Sequence, residues 1–109
     1  MFANNTQSTQ DTAYGYSRST LGVSSGKYYW EIKVAATDGY PLIGIASSAS
    51  TSTTNYLGTN TYSYAYYGAN GNHIIATTSS SYGNTYTTND VVGVALDLDN
   101  NRLFFSKNG

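Results

Sequence analysis

The sequence contains no cysteine, one proline, one tryptophan and one histidine among its 109 residues. Without thiols there can be no disulfide, no thiolate nucleophile and none of the common structural zinc sites. Charge is scarce as well. Asp, Glu, Lys and Arg make up 10 % of the chain, where soluble domains average about 25 %. A net charge of −1 creates no long-range field to draw in phosphate backbones, which argues against nucleic acid as the main partner. No window has the apolar length that crosses a bilayer. The polar stretch Met1 to Gln10 lacks an apolar run of the signal-peptide kind, so neither membrane insertion nor a cleaved leader is expected. Helical periodicity is missing too, because no stretch repeats apolar residues at i, i+3, i+4 and i+7.

What the chain does have is hydroxyls, amides and tyrosine. Serine, threonine and asparagine dominate it, and aromatics reach 15 % through 12 tyrosines. A chain this long makes one domain and can bury roughly two-thirds of its unfolded surface. Alternation supplies the core. Tyr28, Trp30, Ile32 and Val34 fall on one face, with Tyr29, Glu31 and Lys33 on the other. Leu42 to Ala46 is a short apolar run in which Ile43 and Ile45 share a face. Tyr62, Tyr64 and Tyr66 alternate with Ser63, Ala65 and Tyr67. Val92, Val94, Leu96 and Leu98 line one side of the next run, and Leu103 and Phe105 oppose Phe104. Asp38-Gly39, Asn70-Gly71, Gly83-Asn84 and Asp99-Asn100-Asn101 mark turns that tolerate positive φ. Ser47 to Asn55 reads as a surface loop, and Ser79 to Ser81 as a shorter one. Short strands punctuated in this way predict an all-β, antiparallel sandwich or barrel.

The chemistry of catalysis is thin. His73 is the sole imidazole, and a serine or threonine nucleophile needs a base with an orienting carboxylate. Asp38 and Asp99 sit in turn signals, Asp90 precedes a strand, and Glu31 and Asp97 lie on strand faces, so no hydrolytic carboxylate pair stands out. Asp97-Leu98-Asp99-Asn100-Asn101 begins like a calcium loop but lacks its central glycine and later glutamate, and reads better as a hairpin turn. No catalytic residue, metal or cofactor is expected. The tyrosines are the better material for function. Tyr62, Tyr64 and Tyr66, with Tyr67 and Tyr56 nearby, offer large amphipathic contact area at low entropic cost, although one face of that strand could equally fill the core. Trp30 reads as core.

Three stretches resemble a known family. Asn89 to Asp99 followed by Leu103-Phe104-Phe105-Ser106-Lys107-Asn108-Gly109 is similar to a C-terminal motif of the SPRY (B30.2-like) domain, with Asn89 where glycine is usual. Ser25-Gly26-Lys27-Tyr28-Tyr29-Trp30-Glu31-Ile32 resembles the family's GKxYWEV strand, and Leu42-Ile43-Gly44-Ile45-Ala46 its xVGIA strand. The resemblance covers most of Leu21 to Gly109 and implies a SPRY-type antiparallel β-sandwich, preceded by a partly irregular segment over 1–20. It also implies one or two strands beyond Lys107-Asn108-Gly109, so a sheet edge is expected to be open and completed by another chain, by the N-terminal segment or by a homo-oligomer.

Family members bind partners through loops at one end of the sandwich, which points here to Thr37–Pro41, Ser47–Leu57 and Gly68–His73. The expected ligand surface takes in Tyr40, Tyr56, Tyr62, Tyr64, Tyr66, Tyr67, Asn70, Asn72 and His73. The Tyr-Gly-rich middle and charge-poor composition are most similar to SPRY-like domains of tailed-phage virion proteins. The expectation is a non-enzymatic tail, fibre or capsid-decoration module that recognises a protein or a glycan. The alternative is an intracellular, cytoplasmic peptide-binding adaptor, and a small hydrolase comes last.

Overall fold

The computed structural model describes residues 22–35, 41–47 and 56–109. Seven strands follow one another: β1 Lys27–Lys33, β2 Leu42–Ala46, β3 Ser63–Tyr67, β4 Asn72–Ile75, β5 Thr78–Ser81, β6 Val91–Asp97 and β7 Arg102–Lys107. They form a three-stranded sheet ordered β1-β6-β7 and a four-stranded sheet ordered β2-β3-β4-β5. Every pairing is antiparallel, and the two sheets make the β-sandwich that the alternation predicts. The expected N-terminal segment over 1–20, the turn at Asp38-Gly39 and most of the Ser/Thr-rich loop lie outside the described residues.

The apolar spacing fixes which faces meet. β1 and β6 pair with Trp30 opposite Val94 and Ile32 opposite Val92. Every even-numbered side chain from Tyr28 to Val34 therefore shares a face with Val92, Val94 and Leu96. Across the sandwich, Ile43 of β2 stands opposite Tyr66 of β3. Val34, Ile43, Tyr66, Tyr86, Val92 and Val94 form the buried cluster between the sheets, with Trp30, Ile32, Leu103 and Phe105 packed against it. Val92 and Val94 are fully buried, and each contributes about 1.5–3 kcal/mol of burial free energy. The outer face of the four-stranded sheet carries a second cluster. There Leu57 covers Ala65 and Ile74, flanked by Leu42, Ala46, Tyr56 and Tyr67.

One expectation is corrected here. Ser79 to Ser81, read as a loop, belongs to β5, which pairs with β4 from Asn72↔Ser81 to Ile75↔Thr78. All four residues of β5 are exposed, so no apolar alternation marks it. Its turn is equally silent in sequence. Ala76 and Thr77 adopt φ of 48° and 68°, left-handed conformations usually left to Gly or Asn. The Thr77 N–H is held by the Gly58 carbonyl at 2.9 Å.

Asp90 and Asp97 bracket β6. The Asp97 carboxylate accepts from the backbone N–H groups of Asp99 and Asn100, each at 3.1 Å, and from the Asn100 amide at 2.8 Å. Asp99 in turn accepts from Gly26 N–H at 3.0 Å. The D-x-D-x-N stretch is thus the β6–β7 hairpin turn, with Asn101 at φ 54°. Asp90 accepts from Asn108 Nδ2 at 2.9 Å and Thr87 N–H at 2.8 Å. These bonds hold both carboxyls below the usual range, the Asn108 amide leading for Asp90 and the Asn100 amide for Asp97. A lowered folded-state pKa means the stabilisation is present above the ordinary carboxylate value and is lost as pH falls through the folded-state value. Thermal melts should therefore be flat down to about pH 5 and drop steeply below about pH 4. Asp97→Asn should show a shallower drop. A melting temperature that rises on acidification would contradict this assignment.

Candidate functional site

The inner end of the sandwich is built around tyrosine. The segment after β5 runs back across the end of the sheets, with Gly83 N–H bonded to Gly71 O at 2.8 Å and Tyr86 N–H to Gly68 O at 3.1 Å. Gly71 is needed there: its φ is +74°, and a Cβ would lie 2.1 Å from the Gly83 carbonyl oxygen. This docking places Tyr82, Gly83 and Asn84 beside the second half of β7. Between them opens a cleft of ≈ 470 Å³ lined by Tyr66, Tyr82, Gly83, Asn84, Phe105, Ser106, Lys107 and Gly109.

Aromatic rings form one wall. Tyr66 lies 5.5 Å from Tyr82 and 5.4 Å from Phe105, centroid to centroid, and Tyr82 meets Phe105 edge-on at 6.0 Å. These are the tilted and T-shaped arrangements that ring quadrupoles favour. The Tyr66 hydroxyl donates to the Asn84 carbonyl. Burial, followed by the neighbouring Tyr82, pushes the Tyr66 phenol above its ordinary range, so it remains a donor. Tyr82 is more unusual. Its hydroxyl accepts from Phe105 N–H at 2.8 Å and donates to Phe105 O at 3.2 Å. At the far rim the Lys107 ammonium sits 3.4 Å from Asp90.

The residues singled out in sequence do not assemble into one surface. Tyr64 and Tyr66 share the inner face of β3, but Tyr66 is 2 % exposed and belongs to the core, whereas Tyr64 is 40 % exposed. Tyr62 precedes the strand and is exposed. Tyr67 and Tyr56 lie on the outer face with the second cluster. Asn70 caps the β3–β4 turn by accepting from Asn72 N–H at 3.0 Å, and Asn72 donates to Ser79 at 2.9 Å. His73 lies in β4 opposite Tyr66 and meets the Tyr82 ring edge-on at 5.7 Å. Tyr40 lies outside the described residues. The loop regions separate as well. Pro41 and Gly68 meet at one end, Gly68 N–H bonding Pro41 O at 2.9 Å, whereas Ser47 meets Tyr62 at the other. Of the sequence candidates, Tyr66 lines the cleft and His73 stacks behind it. Tyr82, Gly83, Asn84, Phe105, Ser106, Lys107 and Gly109 are the lining residues that sequence reasoning did not single out as a site.

Among the described residues, no group of three or more His, Asp or Glu side chains could hold a metal ion. The features present are two antiparallel sheets packed as a β-sandwich, with an aromatic wall and a few convergent polar groups at one end. The SPRY domain profile matches residues 27–109, and the chain belongs to that family. It is similar to Ran-binding protein 9 of Homo sapiens, 39 % identical over 93 residues that cover 82 % of this chain and 12 % of that protein. The Ran-binding proteins 9/10 homolog of Drosophila melanogaster is 35 % identical over 88 residues, 79 % of this chain and 9 % of the homolog. ATP-dependent RNA helicase DDX1 of Xenopus laevis is 37 % identical over 93 residues, 84 % of this chain and 12 % of the helicase. The chain thus spans a small fraction of the length of these relatives.

These animal relatives overturn the virion reading and its bacteriophage setting. The physical reason is that a hydroxyl-rich, charge-poor composition describes how a surface meets water. Among the described residues it sits largely in exposed positions such as β5 and the turns, and it carries no information about the compartment or particle.

Proposed function

We propose that this SPRY domain is a non-catalytic, protein-binding adaptor module of the intracellular kind, and that it captures a peptide segment of its partner at the cleft beside Tyr82. The observation that carries this reading is the cleft itself. It is lined by the rings of Tyr66, Tyr82 and Phe105 together with Asn84, Ser106 and Lys107. A concave, partly apolar site with a few convergent polar groups is what a preformed peptide site requires. The family and the animal relatives support a protein partner. Several of these relatives are named for binding Ran; the matched region is 15 % or less of the zebrafish and human forms. Glycan recognition loses its support because the tyrosines expected to stack on sugars are divided between the core and two faces.

Panning the chain against a phage-displayed random peptide library should enrich a consensus peptide. Titrated into isotope-labelled protein, that peptide should move the amide resonances of Tyr82–Asn84 and Phe105–Gly109. Shifts confined to Tyr62 and the Leu98–Asn101 hairpin would place the site at the other end and refute the assignment. An unenriched library would remove the peptide-binding reading altogether.

A further inference from the structure

The outer face of the three-stranded sheet carries a ring and a carboxylate that the cleft does not use. On β1 the odd-numbered side chains Lys27, Tyr29, Glu31 and Lys33 point away from the core, and the register sets Tyr29 beside Ala95 and Glu31 beside Gly93 of β6. Gly93 decides how the ring sits. A Cβ there would lie 2.6 Å from the Tyr29 hydroxyl and 3.2 Å from its Cε2, so the ring leans across the central strand into space that only glycine leaves open. Its hydroxyl donates to Glu31 Oε1 at 3.0 Å. That bond to Glu31, ahead of burial, raises the Tyr29 phenol above its ordinary range and keeps the proton on the donor. Tyr29 remains 59 % exposed. Among the described residues no cation pairs with Glu31: Lys27 turns to Asp97 at 3.9 Å, and the other ion pair joins Lys107 to Asp90.

We infer that Tyr29 and Glu31 form a docking site for an arginine side chain of a partner protein. The pair lies on the opposite face of the sheet from Phe105, so this is a second contact surface, independent of the cleft. Three features select arginine. A guanidinium stacks on an exposed aromatic ring and is drawn by the negative charge of its π face. Its planar fork bonds a carboxylate through two N–H groups at once, and Tyr29 engages only one of the Glu31 oxygens. Lysine, a compact and strongly hydrated charge, exploits neither the ring nor the fork geometry as well. The third feature is the setting. Lys27 and Lys33 stand on either side of the pair along β1, so an arginine with acidic neighbours in its own sequence is the segment whose charges fit. A wholly basic stretch would be repelled at both ends.

The test titrates the peptide acetyl-Asp-Gly-Arg-Gly-Asp-amide into the isotope-labelled 109-residue chain. Saturable shifts are expected at the amides of Tyr29, Glu31 and Gly93, with Tyr82–Asn84 unmoved, which separates this result from that for the cleft. Lysine or citrulline in place of arginine should weaken binding at least about three-fold. Glu31→Gln keeps the shape, removes the charge and should cost about three- to five-fold. Tyr29→Leu should cost a similar factor through the lost ring. Both positions are exposed, so both variants should melt close to the parent. Equal affinity for the arginine and lysine peptides, or full affinity retained by Glu31→Gln, overturns the proposal. So does the absence of any shift at Tyr29 and Gly93. Stronger shifts of the same amides with oligouridylate would reveal a platform for single-stranded nucleic acid and overturn it too. Shifts of Tyr29 that grow with protein concentration alone would make the occupant a second copy, with the same consequence.

Discussion

Gly44→Ala should remove a large share of the stability of the domain, about 3 kcal/mol or more. Gly44 sits in the middle of β2, opposite Ala65 of β3. A Cβ there would lie 1.8 Å from the Tyr64 carbonyl oxygen, 2.9 Å from its carbonyl carbon and 3.0 Å from the Ala65 Cα. These are backbone atoms of the neighbouring strand, so no side chain can swing aside. β3 is held from the other side by β4, and Ala65 is packed under Leu57 and Ile74. The strand pair has to part or bend. Overpacking a core costs about 1–3 kcal/mol when side chains can adjust, and against backbone the cost should reach at least the top of that range. In a domain with roughly 5–15 kcal/mol in hand, about 3 kcal/mol lowers the melting temperature by roughly 12–24 °C. Gly22→Ala is the control, because nothing lies within 4 Å of a Cβ at that position. Circular dichroism melts should separate the two variants clearly. A Gly44→Ala protein melting within a few degrees of the parent would show that the β2–β3 pairing is looser than these distances imply.

How much of this architecture could be read from sequence depends on where alternation was strong. β1, β2, β6 and β7 carry their cores as every second residue, and their faces follow from that spacing alone. β3 was legible in direction only. Tyr64 and Tyr66 do share a face, but burial along it falls from Tyr66 to Tyr64 because one end of the strand lies deeper between the sheets. β4 and β5 were not legible. Thr78–Ser81 has no apolar member, and Ala76-Thr77 is a turn without glycine, asparagine or proline, stabilised by Gly58 from a distant loop.

The site escaped for a related reason. Tyr82 appears in sequence as part of a Tyr-Gly-Asn turn, and its two bonds reach a strand 23 residues away. Nothing local to Tyr82 announces that contact. The motifs placed the chain in its family, while the composition pointed to the wrong setting. Strand motifs are constrained by the core they build, whereas the residue types that face water are interchangeable.

Tyr86 carries the second large effect, because it binds the returning segment to the four-stranded sheet. Its ring is 3 % exposed and packs 4.9 Å from that of Tyr66. Its hydroxyl lies 2.7 Å from Tyr66 O and 3.0 Å from Pro41 O, two acceptors that share its single proton. Tyr86→Ala removes the ring, leaves a cavity and takes away the hydroxyl, while Pro41 O keeps its bond from Gly68 N–H. Truncating a buried aromatic costs about 3–5 kcal/mol, a large share of the roughly 5–15 kcal/mol such a domain holds. Tyr86→Phe isolates the hydroxyl and should cost about 1–1.5 kcal/mol, read from the urea midpoint. The two variants also separate in their response to alkali. Burial pushes the Tyr86 phenol far above its ordinary value, so in the folded state it keeps its proton after an unfolded tyrosine would lose it. Its contribution is complete below about pH 10 and declines as pH rises further, because only the unfolded chain is then stabilised by ionisation. The parent should lose stability between about pH 10 and 12, and Tyr86→Phe should lose distinctly less. Equal alkaline slopes would mean that the hydroxyl is reached by water, and that the segment leading to Tyr82 and the cleft is anchored by the ring alone.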